Sequence, residues 1–133
     1  VRCKCDYSTL PMPEIRLYHD TEKALKYLAK SGATEEALSY ADAQTWLTVD
    51  GRRAVVLFGK PTGDTATDAA LMAHEATHIA LFALDAIGEN EPAEEEMCYV
   101  VQAVTLALCE MHFKWAEKHG KIKATSKTDE KGD

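Results

Sequence analysis

The sequence predicts a single α+β domain in which a small β-sheet packs beside one long helix, with a second long helix behind it. Three observations carry that prediction. Two β-branched and aromatic runs flank Asp50-Gly51, the pattern of a β-hairpin. Two apolar stretches with helical spacing, over 67–87 and over about 92–119, are too long to be strands. And 133 residues are enough to bury one core without help from disulfides.

Taken in order, residues 1–13 mix polar and apolar types and hold Pro11 and Pro13, so an irregular arm is expected there. The domain proper is expected over 14–120, and 121–133, with almost nothing apolar, as a polar tail. Residues 14–19 alternate with period two and put Ile15 and Leu17 on one face, as a half-buried strand does. Asp20 or Thr21 then caps a helix whose apolar positions Ala24, Leu25, Tyr27 and Leu28 keep helical spacing to Lys30, where Ser31-Gly32 stops it. Residues 34–38 read as a short helical turn.

The hairpin strands are expected over 44–49 and 52–58. The second is apolar almost throughout, so at least part of it needs cover on both faces. A loop rich in glycine, proline, threonine and aspartate covers 59–67, and Asp64, Thr65 or Thr67 can cap the helix that follows. The next turn runs through Ile87, Gly88, Glu89, Asn90 and Glu91 to Pro92, which suits a first helical turn because its missing N–H needs no partner there. Val100, Val101, Val104, Leu108 and Met111 carry the apolar face of the last helix.

The chemistry concentrates in His74-Glu75-Ala76-Thr77-His78, inside the first long helix. Residues four apart on a helix stand one above the other, so His74 and His78 present two imidazoles to one ion while Glu75 projects beside them. That is the pattern of a zinc site with its own general base, though a short H-E-x-x-H also arises by chance on amphipathic helices. A tetrahedral catalytic zinc takes three protein ligands and leaves one position for water, so a further ligand must come from elsewhere. An antiparallel return of the last helix would supply a carboxylate, and spacing alone permits Glu91, Glu94, Glu95 or Glu96. The plainer role of these glutamates is to sit at the positive end of the helix dipole. His19, His112 and His119 lie outside the motif and read as surface or internally satisfied histidines. Asp85 shares the face of His78 and can orient an imidazole from behind, unless it is simply a surface residue. Trp46 and Trp115 read as packing residues.

Between His74 and Gln102 the sequence resembles the zincin superfamily in its glutamate-ligand branch, the gluzincins, and more closely a group of small phage and prophage-encoded H-E-x-x-H proteins. The residues that carry the resemblance are His74-Glu75-Ala76-x-His78, then Ile87-Gly88-Glu89-x-x-Pro92, then Glu95-x-x-Cys98-Tyr99-x-x-Gln102. Cys98 departs from the pattern, where alanine is usual; a small cysteine packs much as alanine does, but a thiol near zinc can compete as a ligand. The resemblance implies a minimal zincin-like fold, a Zn2+ cofactor held by His74, His78 and Glu95, and metallopeptidase activity. It implies no particular substrate.

On that reading the protein is expected to be a hydrolase, a zinc metalloprotease cleaving peptide bonds in a polypeptide substrate. Glu75 is the expected general base. Tyr99, four residues after Glu95 on the same helical face, is either a donor to the developing oxyanion or a packing tyrosine. In zincins an edge strand beside the metal receives extended substrate by strand addition, and the run Val55-Val56-Leu57-Phe58 is the expected edge. The competing expectations are a zinc-stabilised binding or regulatory protein without turnover, and a phage structural or assembly component. Glu75 favours the enzyme, because metal binding alone needs no carboxylate at that position.

Composition excludes other classes. No apolar run approaches the roughly 20 residues that span a bilayer, so no membrane partner is expected. Fifteen basic against 22 acidic residues leave a net charge of −7, which opposes attraction to phosphate backbones and argues against nucleic acid. Cys98 and Cys109 fall on one helix about 16 Å apart, beyond the reach of a disulfide. Cys3-x-Cys5 lacks the second pair that a structural zinc site needs, so free thiols in a reducing compartment are expected. No N-terminal stretch combines a basic start, an apolar run and a small-residue cleavage site, and a chain opening at Val1 reads as a trimmed product. A cytoplasmic location is expected, in the host cell if the chain is phage-encoded.

Overall fold

The structure is a computed structural model that describes residues 2–4, 11–31, 42–48, 51–89 and 91–120. Its elements are β1 (Arg2–Lys4), β2 (Glu14–Tyr18), α1 (Thr21–Lys30), β3 (Ala43–Leu47), β4 (Arg53–Phe58), α2 (Thr65–Ala86) and α3 (Glu94–Lys118). The α+β class, the small sheet beside the motif helix and the two long helices agree with the sequence. The expected turn at 34–38 and the tail at 121–133 lie outside the described residues. Among the described residues no helix is long and apolar enough to cross a membrane.

The sheet order is β1-β2-β4-β3. β4 pairs antiparallel with β3, as the hairpin requires, and parallel with β2. Gly51 makes the hairpin turn possible: its φ of +68° is open to glycine without strain, and its N–H donates to the Thr48 carbonyl at 2.8 Å. Two expectations are corrected here. Part of the N-terminal arm is strand, since β1 pairs antiparallel with β2 in the register Arg2↔Arg16 and Lys4↔Glu14. Three residues are too few for periodicity to reveal. And β4 is no edge. The crossover through α1 lays β2 on its outer side, so the edge strand next to α2 is β3.

Alternation along β4 sorts its side chains between two layers. Ala54, Val56 and Phe58, with Ile15 and Leu17 of β2, pack into one core with Met72, Ala76 and Ile79 of α2 and Val104 and Leu108 of α3. Val55 and Leu57 face the other side, where α1 buries Ala24 and Leu28. Each Val- or Leu-sized side chain so buried contributes about 1.5–3 kcal/mol, which explains an unbroken apolar run in the one strand covered on both faces.

Asp64 precedes α2 as its N-cap residue, and Asp20 caps α1 by accepting from the Lys23 N–H at 3.1 Å. α2 ends where Gly88, at φ +83°, reverses the chain, its N–H donating to the Asp85 carbonyl and that of Glu89 to Leu84. α3 then returns antiparallel to α2. Asp68 in the first turn of α2 meets His112 late in α3 at 3.1 Å, and this pair marks the helix register. It brings Leu106 level with His74, Gln102 with His78 and Glu95 with Asp85.

Candidate metal centre

α2 buries Met72, Ala76, Ile79, Ala80, Ala83 and Leu84 against the sheet and α3, which turns His74 and His78 outward. Glu75 behaves differently. It is only 3% exposed and faces β3, where the Thr45 hydroxyl donates a short hydrogen bond to its Oε2. Thr45 stands opposite Val56 in the sheet register, on the face turned toward α2. One ligand-capable atom from each of His74, Glu75 and His78 lies within 4.8 Å of the others. The two imidazoles meet edge to face, with ring centroids 5.1 Å apart.

Among the described residues neither imidazole hydrogen-bonds to a protein group, and Oε1 of Glu75 has no protein partner. Two imidazole nitrogens four residues apart are donors that suit zinc and other borderline divalent ions, and the Glu75 carboxylate stands beside them. The residues present therefore fit a metal.

Glu95 does not join the group. It is exposed in the first turn of α3, level with Asp85, and lies seven residues from the position level with His78, about 10 Å along the axis. The reason is the length of the turn. A short reversal sets the first turn of α3 against the last turn of α2, whereas the histidines lie farther back. Glu91, Glu94 and Glu96 belong to the same end and are absent from the group as well. Tyr99 is 66% exposed, level with Leu81, and Cys98 and Asp85 are exposed on the same two helices. Thr45 is the site residue that the sequence reading missed. A signal existed: in the hairpin it alternates with Leu47 on a face that is otherwise apolar.

A second histidine cluster lies at the other end of α2. Asp68 Oδ1 accepts from the Thr62 N–H at 2.9 Å and from its hydroxyl at 2.7 Å, while Oδ2 accepts from His112 Nε2. His112 Nδ1 lies 2.9 Å from His19 Nε2. Since His112 directs Nε2–H to the carboxylate, its neutral form accepts at Nδ1 and His19 donates Nε2–H to it. His19 stacks on Trp115 at 3.6 Å between centroids, and His119 Nδ1 donates to the Trp115 carbonyl. Burial lowers the pKa of His112 despite the Asp68 carboxylate, and lowers that of His19 to about 3, helped by repulsion from His112. Burial by itself would raise Asp68; the hydrogen bonds from Thr62 and His112 outweigh it and hold the carboxyl below its usual range. Both ring nitrogens of His112 are engaged within the protein, which agrees with its reading as an internally satisfied histidine.

No protein-family model, characterised protein or solved structure matches the chain, which leaves the residues of the site as the basis for a functional reading.

Proposed function

We propose that the protein is a zinc-dependent metallopeptidase in which His74 and His78 hold the ion and Glu75 is the general base. The observation that carries this reading is Glu75 itself, a carboxylate buried beside two exposed imidazoles and fixed by the Thr45 hydroxyl. On an ordinary amphipathic helix a glutamate with no charged partner stays in water, because burying it is costly. Bound zinc would supply polarisation of the substrate carbonyl and acidification of water. Glu75 takes the proton from the attacking water and delivers it to the leaving nitrogen, with Oε2 held by Thr45 and Oε1 left for the transfer.

The substrate track is the outer edge of β3, which has no neighbouring strand among the described residues. The Thr48 N–H donates to the Arg53 carbonyl at 3.0 Å, which fixes the phase of the β3–β4 ladder. Ala43, Thr45 and Leu47 are therefore the residues whose backbone groups point away from β4. An extended polypeptide pairing there runs past Glu75. A cytoplasmic location, with Cys98 and Cys109 as free thiols, is consistent with this reading.

One observation bears on a second reading, a binding protein without turnover: Glu95 lies away from the histidines, so α3 supplies no third ligand, and a catalytic zinc with three protein ligands is not completed from that helix. The test is a screen of diverse unfolded polypeptides with zinc-loaded native protein and its Glu75→Gln variant. Both should hold about one zinc per chain, and the variant should cleave slower by a factor on the order of a hundred or more. Equal zinc with no cleavage by either protein would establish the binding reading instead.

A further inference from the structure

The i, i+4 row that carries His74 and His78 continues along α2 to Phe82 and Ala86. Phe82 and Ala86, with Ile87, line a cavity of about 500 Å³, together with Leu47 at the end of β3 and with Pro11 and Pro13 ahead of β2. Phe82 and Ile87 are 53% and 41% exposed, an unusual outlay of large apolar surface that begins about one turn beyond the histidines. Among the described residues of the lining Arg52 is the one charged side chain, and the rest of them match an apolar group rather than an ionic one.

The cavity is also in register with the edge strand. Thr45, which holds Glu75, and Leu47, which lines the cavity, are two apart on β3 and so share a face about 7 Å apart. Both turn their backbone groups to the open edge. An extended chain paired there carries one side chain opposite Thr45, beside Glu75. Its next side chain on the same face, two residues along, arrives opposite Leu47, one of the residues that line the cavity.

We propose that this cavity is a specificity pocket of the metal centre, taking a large apolar side chain such as phenylalanine or leucine from an extended polypeptide, two residues from the one beside Glu75. The proposal rests on the peptidase reading for its placement, but filling the pocket does not depend on turnover. A volume of about 500 Å³ lies within the usual range of ligand pockets and admits the largest apolar side chains. Alanine there would leave the apolar walls wet, and aspartate would bring a charge into them.

The test uses dye-labelled decapeptide pools, randomised except for one position fixed as Phe, Leu, Ala or Asp. Binding to zinc-loaded Glu75→Gln protein is read by fluorescence anisotropy, and cleavage of the same pools by native protein is mapped by mass spectrometry. The Phe and Leu pools should bind about tenfold or more tighter than the Ala pool, as burial of one large apolar side chain provides. Cleavage should fall two residues from the fixed position. Ala86→Trp, which fills the cavity from an exposed helix position, and Phe82→Ala, which removes a wall, should each abolish the preference with zinc content unchanged. Equal binding of all four pools, or a preference that survives both substitutions, overturns the pocket. A preference without cleavage upholds the pocket while removing the peptidase reading, and cleavage without a preference does the reverse.

Discussion

Two histidine-centred groups meet α2, one through Asp68 in its first turn and one through the histidine pair farther along, and they differ in how their polar atoms are committed. At its first turn Asp68 binds His112, which binds His19, with Asp68 and His112 2% and 0% exposed and both nitrogens of His112 engaged. Farther along, His74 and His78 are exposed, unbonded to protein among the described residues, and set around a buried Glu75. In the first group the buried polar atoms satisfy each other; in the second the histidines are available and only the carboxylate is held. The lesson is to count uncommitted lone pairs rather than imidazoles. A histidine whose nitrogens are both bonded inside the fold holds elements together, whereas a pair with free nitrogens four residues apart can take an ion.

That contrast makes predictions, the largest for the buried group. Replacing His112 with alanine empties the space of a fully buried ring and takes the Oδ2 partner from Asp68, which keeps Thr62, and should cost about 2–5 kcal/mol in chemical denaturation. The metal-free His74→Ala, His78→Ala double variant should stay within about 0.5 kcal/mol of native, as exposed substitutions usually do. Equal losses in the two variants would erase the distinction.

The same cluster should make stability depend on pH. His19 and His112 have lowered pKa values in the fold, His19 to about 3, while the unfolded chain takes up protons near the ordinary histidine value of about 6.5. The unfolded state therefore binds more protons between those limits, so stability is full above about pH 6.5 and declines as pH falls toward 3. Thermal midpoints of the metal-free protein should fall steadily from pH 7 to pH 4. A flat profile across that window would mean the histidines are not held neutral.

A smaller effect is expected at the hydrogen bond that joins the sheet to the motif. Thr45→Val keeps the shape of the side chain and removes the donor to Glu75, with an expected stability cost of about 1–3 kcal/mol. Turnover should drop by roughly tenfold at unchanged zinc content, because the base loses its anchor rather than its identity. Activity equal to native would show that Thr45 does not position Glu75.

What the sequence disclosed and what it hid divide by range. The hairpin at Asp50-Gly51, the Asp20 cap and both long helices came within a few residues of their observed limits, because turn chemistry and helical spacing are local. The apolar run of β4 already required cover on both faces, which is the mark of a central strand; taking it for an edge overlooked the parallel neighbour that the α1 crossover brings. Glu95 was misplaced for a related reason. Its height along α2 follows from the turn length and from the Asp68–His112 pair, partners 44 positions apart, and nothing local records that register. Thr45 and Glu75 are 30 positions apart, so their bond was equally out of reach, although each residue's face was readable.

The most direct measurement is zinc titration against a chromophoric chelator, run on native protein, the His74→Ala, His78→Ala double variant, Glu95→Ala and His112→Ala under conditions where each is folded. Native protein should bind about one zinc. Glu95→Ala and His112→Ala should bind it equally well, since neither residue lies in the His74, Glu75, His78 group, and the double variant should bind none. Zinc retained by the double variant, or lost with Glu95, would contradict the assignment of the metal to His74 and His78.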